Sequence, residues 1–455
     1  MMKVEWKTQK RYAIVAAILA ILEGCDSTDA DQRTVPAWMG PEDVAAEESV
    51  AERSVLEQWQ RRERYLTFGI EPDVPMELSA GFGGRNLEFV GYAPIAYEAS
   101  RVDDESLRSA STCEEDLSSA LQVSEWSSWG YFINIAGETW RWKPADVSGT
   151  LRDIRRKLPE VFIEEEVAEF VPEFGGHGEQ AAAEDVWRSE GIIGTDNRVI
   201  RSAYRGYAMT SPTSPWMRIG GLPPRGWSPA THTNNSEGTA SKIGPRHLLT
   251  AGHVMWDNMG FHPHDWWPGQ DGVADEMGIS DSIAPNGVKS IPWTWLPPKW
   301  YEDRSPSQDY SVLILYDNAS SAQFPRFGFM VDSALAGEMT WNFGIPRLGY
   351  DCEDSPLDSK DCAGSMYGHQ KSVRRTEVSY VFTAHDLQSG HSGGPVYKYN
   401  GGNRQIVAVA KSKYSLVENR HVKIRKSVFD MLIAVMEGTP SSHCDGYGWT
   451  GAGCD

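Results

Sequence analysis

A serine flanked by glycines is the arrangement in this chain with the clearest capacity for chemistry. Ser392 lies within Gly390–Pro395, which reads Gly-His-Ser-Gly-Gly-Pro. Glycine permits sharp backbone turns and lets amide N–H groups approach a ligand closely. The amides of Gly390 and Ser392 are therefore candidate oxyanion-hole donors, and each such donor is typically worth about 3 kcal/mol in the transition state.

The residues after the serine limit which architecture can hold it. Gly-x-Ser-x-Gly also occurs at the nucleophile elbow of α/β-hydrolases, where a helix follows the serine. Here Pro395 follows, and residues 396–399 and 405–410 flank an Asn-Gly-Gly turn, which predicts a β-hairpin. An α/β-hydrolase also needs its acid and histidine after the serine, where only a short tail remains. What is left is a β-type serine enzyme or a glycine-rich turn with an unreactive serine.

A histidine and an aspartate precede the serine, each beside a predicted strand. His253 follows a predicted hairpin over 240–250, and Asp309 precedes the apolar run 311–315, which is typical of a buried strand. A nucleophilic serine needs a histidine that takes its proton and later gives it to the leaving group. It also needs a carboxylate that holds the imidazole in one tautomer. The order His253, Asp309, Ser392 is that of chymotrypsin-type enzymes.

Three motifs around these residues resemble those of trypsin-like serine peptidases. Thr250–His253 resembles the family's Thr-Ala-Ala-His, Asp309–Leu313 resembles its Asp-φ-Ala-φ-Leu strand, and Gly390–Pro395 resembles its Gly-Asp-Ser-Gly-Gly-Pro. The resemblance covers roughly residues 192–436. It implies an all-β catalytic domain of two antiparallel six-stranded β-barrels with a C-terminal helix, and an active-site cleft between the barrels.

Other segments resemble the bacterial glutamyl-endopeptidase-like branch of that family. They are Ile193–Arg198, Ile243–His247, Pro268–Gly272, Pro298–Trp300 and Gly344–Pro346. Glutamate-specific relatives carry a histidine on the strand after the serine hairpin, whereas the nearest position here is Ala410, followed by Lys411. The resemblance therefore implies a peptidase of this branch without implying a preference for glutamate.

Three residues are candidates for binding the substrate side chain: Asp386, Ala410 and Lys411. Asp386 lies six residues before Ser392, where trypsins carry the aspartate that binds arginine or lysine. A buried carboxylate there would favour a cationic side chain, but many bacterial relatives keep a structural aspartate at this point. Both interpretations of Asp386 remain open. His391 stands where animal trypsins have an aspartate that pairs with the new N-terminal amine, so this chain cannot use that ion pair.

The N-terminal residues have the pattern of an export signal. Basic residues between positions 7 and 11 precede an apolar run at 12–22 that is too short to span a membrane. Leu22–Cys25 reads Leu-Glu-Gly-Cys and, apart from its glutamate, resembles a bacterial lipobox, which implies a lipid on Cys25. Ordinary signal cleavage is the alternative. We predict a signal peptide at 1–25 and an exported protein, either a cell-envelope lipoprotein or a secreted one.

The spacing of the other cysteines fits an exported protein. Cys352 with Cys362, and Cys444 with Cys454, each bracket a short polar loop, and we expect both pairs to form local disulfides. Cys113 is left without an evident partner. None of these cysteines has the paired CxxC spacing of a zinc site. We predict no metal ion and no other cofactor.

The first part of the chain lies outside the resemblance. It contains an acidic, helix-prone stretch at 41–65, a predicted strand pair at 131–142 and a glycine-rich linker at 175–178. We interpret residues 26–190 as an acidic propeptide or accessory region, α+β or partly disordered, and residues 191–455 as the peptidase domain. The formal net charge of −20 argues against a nucleic-acid partner, because phosphate binding needs clustered cations.

The sequence as a whole predicts an exported, monomeric serine endopeptidase that is made as a precursor and acts on protein or peptide substrates. Cleavage near residues 190–193 would release the catalytic region. Two alternatives remain. One is a non-catalytic cell-surface lipoprotein that uses the peptidase fold as a binding module, which the long acidic N-terminal half motivates. The other is an esterase on the same three residues, because acyl transfer is common to both reactions.

Overall fold

The structure, a computed structural model, covers both predicted barrels and part of the N-terminal region. It describes residues 56–75, 78, 86–96, 129–143, 170–171, 199–200, 215–225, 237–270, 286–316, 325–345, 366–387, 390–413 and 417–438. All of them belong to one unit that runs from Ala51 to Asp455. Within this described part, no helix is long and apolar enough to cross a membrane.

Several expectations from the sequence lie outside the described residues. They are the export signal with Cys25, the linker at 175–178, the cleavage region at 190–193, the two expected disulfides and Cys113.

The N-terminal region contains both helix and strand where it is described. The end of the predicted helix is confirmed as α1, at residues 56–68. The predicted strand pair at 131–142 is confirmed and gains a third member. These three strands are β1 (Leu87–Tyr92), β2 (Gly130–Asn134) and β3 (Glu138–Trp142). Two short strands follow, β4 (Phe170–Val171) and β5 (Val199–Ile200), which pair with strands of the C-terminal sheet. β3 lies between β1 and β2 in an antiparallel arrangement.

The next part of the chain forms the first barrel. Its strands are β6 (Ile219–Gly221), β7 (Thr239–Lys242), β8 (His247–Thr250), β9 (Trp256–Asp257), β10 (Gly260–Phe261), β11 (Asp265–Pro268), β12 (Lys289–Ser290), β13 (Trp293–Leu296) and β14 (Ser311–Ile314). Two short helices accompany them, α2 (Gly252–Met255) and α3 (Pro298–Asp303). β13 pairs with β14, which is followed in order by β8, β7, β6, β11 and β12. Because only Ile291 and Pro292 separate β12 from β13, this order closes a six-stranded barrel.

The C-terminal part of the chain forms the second barrel. Its elements are β15 (Gly328–Met330), β16 (Met339–Gly344), β17 (Tyr367–Thr376), β18 (Tyr380–Thr383), β19 (Pro395–Asn400), β20 (Asn403–Lys413), β21 (Asn419–Lys423) and α4 (Lys426–Gly438). The path β19-β16-β17-β18-β21-β20 returns to β19 through the predicted hairpin, so six strands close this barrel too. The predicted fold class, two antiparallel six-stranded barrels with a C-terminal helix, is confirmed.

Strand β17 is the longest of the strands that the sequence pattern did not indicate. Its residues, Tyr-Gly-His-Gln-Lys-Ser-Val-Arg-Arg-Thr, show no alternation of apolar and polar side chains. It nevertheless pairs along six positions with β16 and then with β18. Pairing with two neighbours supplies the backbone hydrogen bonds that a polar strand needs, and sequence periodicity does not report this contribution.

The N-terminal strands extend the first barrel. β2 pairs with β13 over four residue pairs, from Trp293 opposite Asn134 to Leu296 opposite Tyr131. The indole Nε1 of Trp295 donates a hydrogen bond to the Trp129 carbonyl at 3.2 Å. Both tryptophans are fully buried in the same hydrophobic cluster. Residues 87–92 and 129–142 therefore contribute strands and core to the first barrel, although they precede the region of resemblance.

Candidate active site

The first barrel brings the candidate histidine and aspartate together. β8 and β14 are antiparallel, with Thr250 opposite Ser311, so the end of β8 and the start of β14 meet at one edge of the barrel. His253 lies in α2 just beyond β8, and Asp309 directly precedes Tyr310 and β14. The two side chains face each other as a consequence of this register.

The contact between them is a close, oriented pair. His253 Nδ1 lies 2.9 Å from Asp309 Oδ2 and 3.1 Å from Oδ1, and the His253 backbone N–H donates to Oδ1 at 2.8 Å. A carboxylate at Nδ1 keeps the proton on that nitrogen and leaves Nε2 free to accept one. The His253 side chain is 34% exposed whereas that of Asp309 is 1% exposed, so the imidazole is open to solvent and the carboxylate is not.

Burial and nearby charges shift the pKa of the Asp309 carboxyl in opposite directions. Burial by itself raises its pKa. The positive charges of His253 and Lys411, together with the hydrogen bonds from His253, outweigh burial and hold the pKa of Asp309 below its ordinary value. The carboxylate is therefore ionised at neutral pH despite its environment, as the orientation of an imidazole requires.

The glycine-flanked loop that carries Ser392 is fixed against both barrels. The Gly393 N–H donates to the Ala410 carbonyl at 2.8 Å, and the Ala410 N–H donates to Gly394 at 2.9 Å. Gly393 has φ +86°, and a Cβ there would lie 2.1 Å from Thr250 Oγ1 and 2.8 Å from the Ala251 nitrogen. Only glycine allows this approach. As a result, the serine loop packs against Thr250 and Ala251, and Ala251 lies two residues before His253 in the chain.

Thr239 is a site residue that sequence reasoning missed. Its backbone N–H donates to the Ser392 carbonyl at 2.8 Å, and its Oγ1 donates to the Gly390 carbonyl at 2.7 Å. The same Oγ1 accepts a hydrogen bond from the Ile345 N–H at 2.9 Å. Thr239 lies in β7 of the first barrel, so one buried threonine links that barrel to the serine loop of the second. No local motif marks it, because its partners are more than 100 residues away.

The hydroxyl of Ser392 occupies a resting position. Its Oγ donates to the Lys411 carbonyl at 3.2 Å. Among the described residues it makes no hydrogen bond with His253. Rotation about the Cα–Cβ bond would move the hydroxyl away from β20, and catalytic hydrogen bonds are often completed only when substrate is bound.

The three candidate substrate-binding residues lie in the second barrel, Asp386 after β18 and the other two in β20. Asp386 is partly exposed and follows β18. Ala410 is fully buried in β20, opposite His421 of β21. The ammonium group of Lys411 lies 3.8 Å from Asp309 Oδ2, so this side chain points toward the candidate triad. A substrate-binding role remains a prediction for each of them.

Other histidines of the first and second barrels have structural contacts. His247 and His391 are buried. His264 is also buried, and its Nε2 lies 3.1 Å from the carbonyl oxygen of Val254, the residue that follows His253. Within the described part of the chain, no group of three or more histidine, cysteine, aspartate or glutamate side chains is arranged to hold a metal ion.

When the chain is compared with known proteins, matches are found among solved structures. No protein-family model and no curated protein matches the chain. A Glu endopeptidase in complex with MPD is 20% identical, with a TM-score of 0.42, and the match covers 54% of this chain and 99% of that one. The thermostable serine protease AL20 from an extremophilic microorganism is 13% identical, with a TM-score of 0.36, over 49% of this chain and 97% of its own. Protease Anisep from Arthrobacter nicotinovorans is 15% identical, with the same TM-score and coverage.

Proposed function

We propose that this protein is an exported serine endopeptidase that uses His253, Asp309 and Ser392 as a catalytic triad. The observation that carries the proposal is the oriented contact of His253 Nδ1 with the buried Asp309 carboxylate, 2.9 Å apart. A glycine-flanked serine loop packs against the same barrel edge. Each of these features has a known part in acyl transfer, and a binding module has no need of an ionised buried carboxylate behind an exposed imidazole.

The proposed reaction proceeds through an acyl-enzyme. Ser392 Oγ leaves the Lys411 carbonyl, transfers its proton to His253 Nε2 and bonds to the scissile carbonyl carbon. Asp309 stabilises the resulting imidazolium through Nδ1. The imidazolium then protonates the leaving amine as the peptide bond breaks. Water then gives a proton to His253 and bonds to the acyl carbon. The bond between that carbon and Ser392 Oγ breaks, and Oγ takes the proton back from the imidazolium as the carboxylic acid product leaves. We assign stabilisation of the oxyanion to the amides of Gly390 and Ser392.

Residues 87–142 form, in this proposal, a permanent part of the enzyme. They supply β1, β2 and β3 to the first barrel, with buried Trp129 and Phe132 in its core. Cleavage near residues 190–193 would then produce a two-chain enzyme held together by the β2–β13 pairing, and would not release a propeptide. Export, the choice between a lipid on Cys25 and secretion, and a monomeric state are proposals that rest on the sequence.

Covalent labelling tests the proposed function most directly. A fluorophosphonate should add to the chain that begins at Asp26, as read by intact mass, and the Ser392→Ala variant should remain unlabelled. Labelling that appears only after limited proteolysis near Ile192 would establish a zymogen. An unlabelled chain in both states would refute the proposal. Rates on matched peptide and ester substrates then separate an endopeptidase from an esterase.

A further inference from the structure

Lys411 is a buried cation at the back of the proposed triad. Its side chain is 9% exposed, and Nζ lies 3.8 Å from Asp309 Oδ2. Nζ donates a hydrogen bond to the Pro306 carbonyl at 3.0 Å and lies 5.6 Å from the centre of the Tyr380 ring. A buried ammonium group is unfavourable unless it is paired and hydrogen-bonded. Both requirements are met here, and the ammonium group approaches Oδ2, the same Asp309 oxygen that lies 2.9 Å from His253 Nδ1.

The same residue also contacts the serine. The Lys411 carbonyl accepts the hydrogen bond from Ser392 Oγ at 3.2 Å, while its ammonium group approaches Asp309. One residue of β20 therefore touches the nucleophile through its backbone and the acid through its side chain. This placement does not follow from the resemblance on which the assignment of the triad rests.

We propose that Lys411 is a positioning residue that acts through Asp309, sharing the carboxylate with His253 and so limiting how strongly the imidazolium is stabilised. The inference rests on the proposed function. With a neutral imidazole, Asp309 and Lys411 form a neutral pair, which allows the carboxylate to remain ionised while buried. When His253 takes the serine proton, two cations share one carboxylate. The imidazolium then gives its proton to the leaving amine more readily.

The charges around the carboxylate come from few elements. His253 of α2 and Lys411 of β20 are the charged groups that lower the pKa of Asp309. Tyr310 follows Asp309 on the chain, and burial raises the pKa of its hydroxyl. Arg420 of β21 lies over the Tyr380 ring at 4.8 Å, and the positive charge of Arg425 acts on Tyr310. The positive charge of Lys411 is thus the one that a substitution can remove without altering the His253–Asp309 pair itself.

The pH dependence of serine labelling tests this inference without a known substrate. Rates of fluorophosphonate labelling are measured on the full chain from about pH 4 to about pH 9 for the wild type, Lys411→Met and Lys411→Arg. Without the ammonium group, Asp309 favours the protonated imidazole, so the acidic limb of Lys411→Met should move upward by about one pH unit. Lys411→Arg keeps the charge and should keep the wild-type limb.

Lys398→Met is the matched control. Lys398 lies in the same barrel and pairs with Asp332 at 2.6 Å, so the variant also removes a partly buried ammonium group from an ion pair. Its acidic limb should not move. If Lys411→Met does not fold, Lys411→Gln replaces it in the same comparison.

Two results would overturn the inference. One is an acidic limb that is the same in Lys411→Met and the wild type. The other is a Lys411→Arg limb that moves as far as that of Lys411→Met, because charge would then not be the cause. A wild type that is not labelled at all refutes the proposed function, and this outcome is distinct from all of the others.

Discussion

Asp309 combines near-complete burial with a negative charge, and few side chains in a protein interior do so. Its two oxygens account for this, since they contact His253 Nδ1, the His253 backbone N–H and the ammonium group of Lys411. An amide at this position would keep the shape of the side chain but lose the charge, and it would present an NH₂ donor to an imidazole N–H. The imidazole would then be held in the wrong tautomer for taking the serine proton.

We therefore expect Asp309→Asn to fold and to lower the rate of Ser392 labelling by roughly 10³- to 10⁴-fold. The labelling rate at neutral pH measures the effect, and near-UV circular dichroism checks the fold. Asp303→Asn serves as the control, because Asp303 ends α3 and is exposed. Its rate should equal that of the wild type. An Asp309→Asn variant with wild-type labelling would remove Asp309 from the mechanism.

The element that connects the two barrels at the site is the loop from Gly390 to Gly394. Thr239 holds it on one side and Ala410 on the other. Because Gly393 packs against Thr250 and Thr239 without space for a Cβ, the position of Ser392 depends on the absence of a side chain one residue later. The loop is thus positioned by packing as much as by hydrogen bonds.

Gly393→Ala should destabilise the protein by about 1–3 kcal/mol and abolish labelling, because φ +86° and the contact with Thr250 both oppose a Cβ. Gly402→Ala is a matched control. Its φ is +88°, with no atom within 4 Å of the added Cβ, so it carries the backbone strain alone. Urea denaturation and the labelling rate are measured for both. Equal labelling of the two variants would show that the close approach of Gly393 does not position Ser392.

At the scale of the whole molecule, the sheet of the first barrel includes strands that precede residue 192, where the resemblance begins. β13 pairs with β14 on one edge and with β2 on the other. Removal of residues 87–142 would expose that second edge together with the side chains of Trp293 and Trp295, which are buried in the structure. An exposed strand edge beside apolar side chains favours aggregation.

A chain that begins at Ile192 should therefore fail to fold, whereas a chain that begins at Ala51 should unfold cooperatively in urea. In protein cut between residues 190 and 193, the fragment with β1–β3 should co-elute with the catalytic fragment and separate only in denaturant. Size-exclusion chromatography followed by intact mass measures this. A chain from Ile192 that folds and is labelled at the full rate would show that the N-terminal strands are dispensable.

Much of the fold was accessible from local sequence. The hairpin of β7 and β8, the buried strand β14 and the hairpin of β19 and β20 were predicted near their observed positions, because turn residues and apolar runs mark them. β17 was not predicted, since a polar strand held by two neighbours has no periodic signal. The pairing of β2 with β13 was also not predicted, because register between distant strands is not encoded locally.

The sequence by itself determined which three residues are candidates for the triad, because their types, flanking glycines and strand positions are local properties. Only the tertiary structure decided what surrounds them. Thr239 contacts Gly390, and Lys411 contacts Asp309, although the partners in each pair are far apart in the chain. The Lys411 ammonium group points to Asp309 and is held there by the Pro306 carbonyl, both in the segment that precedes β14. Such a placement depends on how two barrels meet, and no pattern within either segment specifies it.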